Sequence, residues 1–174
     1  SFLPGWRSEE MANYLGVVGA AQIDAAAFRQ IVASRNGLGS SYSFLSALPD
    51  GASLEGYLFP DRYTIAGDTT AAALIDLMLA RFDAQVTPAM RQAYGTLGLS
   101  LRDAVILASI IEREAVLAEE KPLMAAVFLN RLAAGMPLQA DPTVQYALGF
   151  VNGTWWKSPL SAEDLQVNSP YNTY

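Results

Sequence analysis

Residues that start and stop helices recur along this chain at intervals so short that only a set of short helices fits between them. Ser8 ahead of Glu9, Glu10 and Met11, and Asp24 ahead of Ala25, Ala26, Ala27 and Phe28, have the chemistry of N-caps, the first with acidic side chains in the opening turn. Asp68 reads as the cap of a long Ala- and Leu-rich helix to about residue 82, and Thr87-Pro88 puts a cap before the residue favoured at the first helical position. Ser100 and Asp103 have capping-box spacing, with Asp in place of the usual Glu, and open a helix from 101 to about 118. Pro122 starts the next, over 123–134, which Gly135 stops, and Asp141-Pro142 starts a third, which Gly149 stops. Two segments depart from this pattern. Residues 36–51, with Gly37-Leu38-Gly39-Ser40-Ser41, read as a loop or subdomain boundary. Residues 54–65 partly alternate aromatic and polar side chains, and Pro60 limits them to an edge or irregular strand. The expected fold class is therefore α+β and predominantly helical.

Composition removes several kinds of function. The chain has 174 residues, 52% of them hydrophobic and 16% charged, enough for a real core. A net charge of −6 with no Lys/Arg cluster leaves no surface to neutralise phosphates, so nucleic acid is not expected as a partner. There is no Cys and no His, which excludes thiol nucleophiles, His-based triads and thiolate zinc sites. Acid-base chemistry then falls to carboxylates, Lys or Tyr. No apolar run is long enough to span a bilayer, and Ser1-Phe2-Leu3-Pro4-Gly5-Trp6 does not resemble a signal peptide, so a soluble fragment is expected. The stop at Asn172-Thr173-Tyr174 closes no element, and further pieces are expected beyond both ends.

Within 104–115 apolar residues fall at almost every helical angle, so this helix is expected to be buried on most sides. Glu112 shares its face with Leu101, Val105, Ala108 and Ala115. A carboxylate in that setting, without water or a cation, has its charged form disfavoured, as a general acid requires. The competing reading is that Glu112 pairs with a nearby Arg or reaches solvent at an edge, and composition alone favours it. Glu114 is no partner for a two-carboxylate site, since residues two apart on a helix diverge.

The loop and helix start at 135–146 gathers Gln139, Asp141, Thr143, Gln145 and Tyr146. Capping accounts for Asp141 and Thr143. Amides beside aromatic rings suit sugar hydroxyls and N-acetyl groups, which adds Gln139, Gln145 and Tyr146 as binding candidates. Most aromatic rings belong in a core, but Tyr57, Tyr63, Tyr171 and Tyr174 lie beside short polar residues and are candidates for a stacking groove.

Four segments together resemble one family, the endolytic transglycosylases of the YceG-like type: residues 55–61 (Glu55-Gly56-Tyr57-Leu58-Phe59-Pro60-Asp61), 108–114 (Ala108-Ser109-Ile110-Ile111-Glu112-Arg113-Glu114), 139–146, and Tyr171-Asn172-Thr173-Tyr174. Their order and spacing fit over roughly residue 54 to the end, a far more specific signal than one short motif. The resemblance implies a lysozyme-like catalytic domain over 50–174, with 1–49 the tail of a LysM-like accessory segment. It places the catalytic residue on Glu112 and adds Glu55, Asp61 and Asn172 to the binding candidates. It implies cleavage of the β-1,4 bond between N-acetylmuramic acid and N-acetylglucosamine inside peptidoglycan strands, leaving 1,6-anhydromuramyl ends. No metal or organic cofactor is implied. The family also implies a membrane anchor outside this chain, a catalytic domain facing the cell wall, and a peptidoglycan synthase as a working partner.

Three rival functions predict different residues. A muramidase needs a second carboxylate at about 5 Å for retention or about 6.5–9.5 Å for inversion, for which Asp141, Glu55 and Asp61 are the candidates. A pyridoxal-phosphate lyase needs a Schiff-base Lys, and the only lysines, Lys121 and Lys157, lie by no phosphate-binding Gly-rich loop. A glycan-binding module without catalysis leaves Glu112 without a purpose.

Overall fold

A computed structural model describes residues 1–18, 23–39 and 42–174. Ser40 and Ser41 of the expected loop lie outside them. The first helix, α1 (Ser8–Val17), begins on Ser8 instead of after it. Arg7 holds the extended flanking position, and its backbone N–H donates to the Glu10 carboxylate at 2.9 Å. α2 (Ala25–Ser34) is capped as expected by Asp24, which accepts from the Ala26 amide at 2.8 Å. A single-turn helix, α3 (Ser43–Ser46), lies in the expected loop.

The long helix α4 (Ala71–Gln85) is capped by Thr70, two residues past the expected Asp68. The Ala66 amide donates to Thr69 Oγ1 at 3.0 Å, folding 66–69 into a turn that brings Thr70 to the helix mouth, where it accepts from Ala73. Thr87 caps α5 (Pro88–Thr96) in the expected cap-then-Pro order. The Ser100–Asp103 box forms in both directions, Asp103 N–H to Ser100 Oγ and Ser100 N–H to the Asp103 carboxylate, each at 3.1 Å, and opens α6 (Leu101–Glu114). This helix ends before residue 118 because the Glu120 carboxylate takes the Leu117 amide at 3.1 Å and turns the chain through a 3₁₀ turn, Ala118–Glu120, into α7 (Lys121–Ala133). Gly135 at φ +66° and Gly149 at φ +70° then stop α7 and α8 (Asp141–Leu148), a left-handed backbone that glycine adopts without strain. A second 3₁₀ turn spans Asp164–Gln166.

The expected strand does not form. Tyr57 N–H donates to Leu54 C=O at 3.0 Å, Gly56 sits at φ +86°, and Pro60 follows, so 54–65 is a turn and irregular chain. A Cβ on Gly56 would come within 2.8 Å of Val105 Cγ1, so that close approach needs glycine. Among the described residues the only β pairing is an isolated bridge between Val151 and Thr154. The architecture is helical, and the β part of the expected α+β class is absent from the described residues.

The chain forms two compact units, Ser1–Val105 and Ile106–Tyr174. The first holds a continuous core in which Phe28, Leu15, Leu54, Leu74, Ile75, Met78 and Leu79 are fully buried. Residues on both sides of the expected 49/50 boundary share that core, with α1 and α4 each packed on α2. In the second unit the buried side chains include Leu107, Ile110, Ile111, Phe128, Thr143 and Val144. No single described helix is long and apolar enough to cross a membrane.

Tyr57 belongs to the first core. It is 4% exposed, stacks on Phe44 at 5.8 Å between ring centres, and touches Phe82, while its hydroxyl has no hydrogen-bond partner among the described residues. Burying that hydroxyl unpaired costs about 1–3 kcal/mol. Tyr57→Phe is therefore expected to leave stability unchanged or raise it by up to about 1–3 kcal/mol in urea titrations; a loss would mean that the hydroxyl has a partner.

Candidate active site

The expected site residues divide between the two units, and the structure gives most of them partners inside the protein. In the first unit, the Glu55 carboxylate accepts from both the amide and the hydroxyl of Ser8, anchoring the loop at 54–57 to the start of α1. Burial pushes the Glu55 carboxyl above its ordinary value, partly opposed by the Ser8 bonds. Asp61 accepts from Arg81 Nε and from the Arg62 amide, each at 2.7 Å, and those bonds hold it below the usual carboxylate range. Tyr63 donates its hydroxyl to Phe59 C=O at 2.6 Å, and burial, together with the charge on Asp61, pushes it up to about 12. Tyr57, expected in a groove, is a core ring. These four side chains brace the loop that carries the 55–61 motif.

In the second unit two of the motif segments meet. The Gln139 amide donates to Thr173 C=O at 2.9 Å, the Ala140 amide to Thr173 Oγ1 at 3.1 Å, and the Thr143 and Thr173 hydroxyls lie 2.9 Å apart. Thr143 also donates to Ala140 C=O at 2.7 Å and is 7% exposed. The Tyr174 hydroxyl donates to Asp141 at 2.6 Å, and that bond, with burial, pushes it up to about 12. The Tyr146 and Tyr171 rings meet edge to face at 4.9 Å. Residues 171–174 thus lie along the start of α8, thirty residues away in sequence, as Thr143 and Thr173 show.

Two expected binding amides are also engaged. Gln145 donates to Lys157 C=O at 2.9 Å, and Asn172 donates to the carbonyls of Leu165 and Val167 at 2.9 and 3.0 Å. Gln139 holds a left-handed backbone at φ +51°, and its side chain lies with Glu114, Arg131 and Leu138 around a cavity of about 280 Å³. Burial, followed by the charge on Asp141, raises the Glu114 carboxyl. Tyr171 is 58% exposed and presents a ring to solvent.

Glu112 does not have the surroundings expected of it. Only Leu107, Ile110 and Ile111 are buried on α6, while Ile106, Ala108 and Ser109 are exposed. The Glu112 side chain is 36% exposed, and its Oε2 accepts from Lys121 Nζ at 2.6 Å. The setting is the ion-paired one of the competing reading, with Lys in place of Arg. Next to it, the Arg113 guanidinium lies 3.8 Å from the centre of the Trp156 ring.

Lys121 and Thr173 were not among the sequence candidates for the site. Lys121 entered only as a poor Schiff-base residue, and its position after Glu119-Glu120 at a helix start gave no sign of a carboxylate partner across the turn. Thr173 stood inside a recognised motif, but its role depends on a contact too distant in sequence for spacing to show.

With this geometry established, comparison with known proteins decides the family. The YceG-like family model matches residues 1–174, the whole chain. This chain belongs to the YceG-like family. A protein of Streptococcus pneumoniae serotype 2 (strain D39), named endolytic murein transglycosylase, is 39% identical over 124 residues, covering 70% of this chain and 22% of its own length. A Bacillus subtilis (strain 168) protein of the same name is 38% identical over 122 residues, covering 70% of this chain and 32% of its own. The chain therefore spans less than a third of each of these curated relatives. In three dimensions it is similar to the crystal structure of a YceG-like protein from Listeria monocytogenes, with a TM-score of 0.80 and 31% identity over 99% of this chain and 58% of that one.

The Thr143–Thr173 contact holds the two motifs of this YceG-like chain together. Thr143→Val removes the hydroxyl and leaves Ala140 C=O without that donor, with an expected loss of about 1–3 kcal/mol. Amide hydrogen exchange at Gln139 and Ala140 should accelerate with it, and unchanged exchange would mean the seam holds without Thr143.

Proposed function

We propose that this chain is part of an endolytic murein transglycosylase, which cuts peptidoglycan strands between N-acetylmuramic acid and N-acetylglucosamine and leaves 1,6-anhydromuramyl ends. The observation that carries the reading is the match of the family over residues 1–174, together with relatives named for that activity. Glu112 is the proposed acid and base. Its proton passes to the glycosidic oxygen as the bond from muramyl C1 breaks. The resulting carboxylate takes the proton of the muramyl C6 hydroxyl as that oxygen bonds to C1. The proton is restored to Glu112, and no water is consumed.

A hydrolase would need a second carboxylate free to serve as nucleophile or base. Glu55 is bound to Ser8, Asp61 to Arg81 and Asp141 to Tyr174, which supports a single working carboxylate. Both lysines are in ion pairs, Lys121 with Glu112 and Lys157 with Asp164, so neither supports the Schiff-base reading. Exposed Tyr171 and the amide of Gln139 remain proposed contacts for the glycan. The substrate lies outside the cytoplasm, so the full-length protein is proposed to work there through an anchor beyond this chain, with 1–49 as a LysM-like accessory segment by family likeness and a peptidoglycan synthase as partner.

Glu112→Gln in the full-length protein is expected to fold and bind glycan strands while release of anhydromuropeptides falls at least about a hundredfold, the lower range for general acid-base catalysis. Liquid chromatography with mass detection on digested sacculi measures it, and turnover at the original rate would remove Glu112 from the mechanism.

A further inference from the structure

We infer that Lys121 is a positioning residue for Glu112, orienting its carboxylate and stabilising the negative charge left there when its proton goes to the leaving oxygen. This rests on the functional reading above and extends it to a residue that the family motifs around Glu112 did not single out. Lys121 Nζ is 2.6 Å from Glu112 Oε2, and no partner for Oε1 is found among the described residues. One carboxylate oxygen is held by the cation, and the other is left to face the glycosidic oxygen and then the C6 hydroxyl.

The backbone fixes this pairing. Lys121 is the first residue of α7, and Pro122 beside it has a restricted φ. The 3₁₀ turn ahead of it is tied by the bond from the Leu117 amide to Glu120. The ammonium is thus delivered to Glu112 from the start of a helix.

Other charged groups nearby have their own contacts. Arg113 lies over Trp156, Glu120 is bonded to Leu117, Glu114 and Asp141 act on one another, and Arg131 donates to the carbonyls of Pro137 and Leu138. Lys157 is paired with Asp164. The ammonium that touches Glu112 is that of Lys121.

During the first step Glu112 changes from neutral to negative, and a fixed positive charge at hydrogen-bond distance is favourable in proportion to that change. In the second step the carboxylate takes the hydroxyl proton and Lys121 stays charged throughout, so the balance of atoms and protons is that of the proposed reaction.

The test measures kcat and KM on murein glycan strands for the full-length protein carrying Lys121→Met, Lys121→Gln or Lys121→Arg, with melting temperatures recorded alongside. Lys121→Met and Lys121→Gln are expected to lower kcat about tenfold, with KM within about twofold. Lys121→Arg should restore most of the lost kcat. A folded Lys121→Met protein with the original kcat, alongside an inactive Glu112→Gln protein, overturns this inference alone. An active Glu112→Gln protein overturns the functional reading and the inference with it.

Discussion

The second unit depends on a seam made by one residue. Thr173 accepts from Gln139 through its carbonyl, accepts from Ala140 through its hydroxyl, and meets the Thr143 hydroxyl, so three polar groups at the mouth of α8 are satisfied by a segment thirty residues further on. α8 has no side-chain cap of its own, since Ala140 occupies the flanking position. The remote segment does what a local cap does elsewhere in this chain. Tyr174 on Asp141 and Tyr171 against Tyr146 follow from that alignment. The polar residues that looked like a binding surface in the sequence are in large part the fastening of this seam, and the surface they leave is smaller: the Tyr171 ring and the margins of the Gln139 amide.

How much the sequence disclosed depended on how local the determining interaction was. Asp24, Thr87 and the Ser100–Asp103 pair cap within three residues of themselves, and each does so as expected. Asp68 did not, because Thr69 closed a turn first and moved the helix start to Thr70. The alternation at 54–65 imitated a strand, yet no partner strand is present among the described residues and the Leu54–Tyr57 turn satisfies the chain locally. On α6 the periodicity told which residues are apolar but not which of them a neighbour covers, and Ile106 and Ala108 stay exposed. Glu112 was legible as unusual, while its cation was not, since Lys121 reaches it from across a turn.

That cation changes how the proposed acid has to work. A carboxyl group buried among apolar side chains keeps its proton because charge is unwelcome there. Glu112 is instead 36% exposed and paired with Lys121. In the proposed reaction the negative charge it gains in the first half meets a fixed cation until the C6 hydroxyl gives up its proton. Rigid delivery of Lys121 by α7 makes that stabilisation available without rearrangement.

In the proposed reaction the substrate's own C6 hydroxyl, and not water, attacks the muramyl carbon. Digesting murein with the full-length protein in water labelled with heavy oxygen, and weighing the released muramyl ends, tests it most directly. Anhydro ends free of the label are the predicted result, and label at the muramyl C1 oxygen would contradict it.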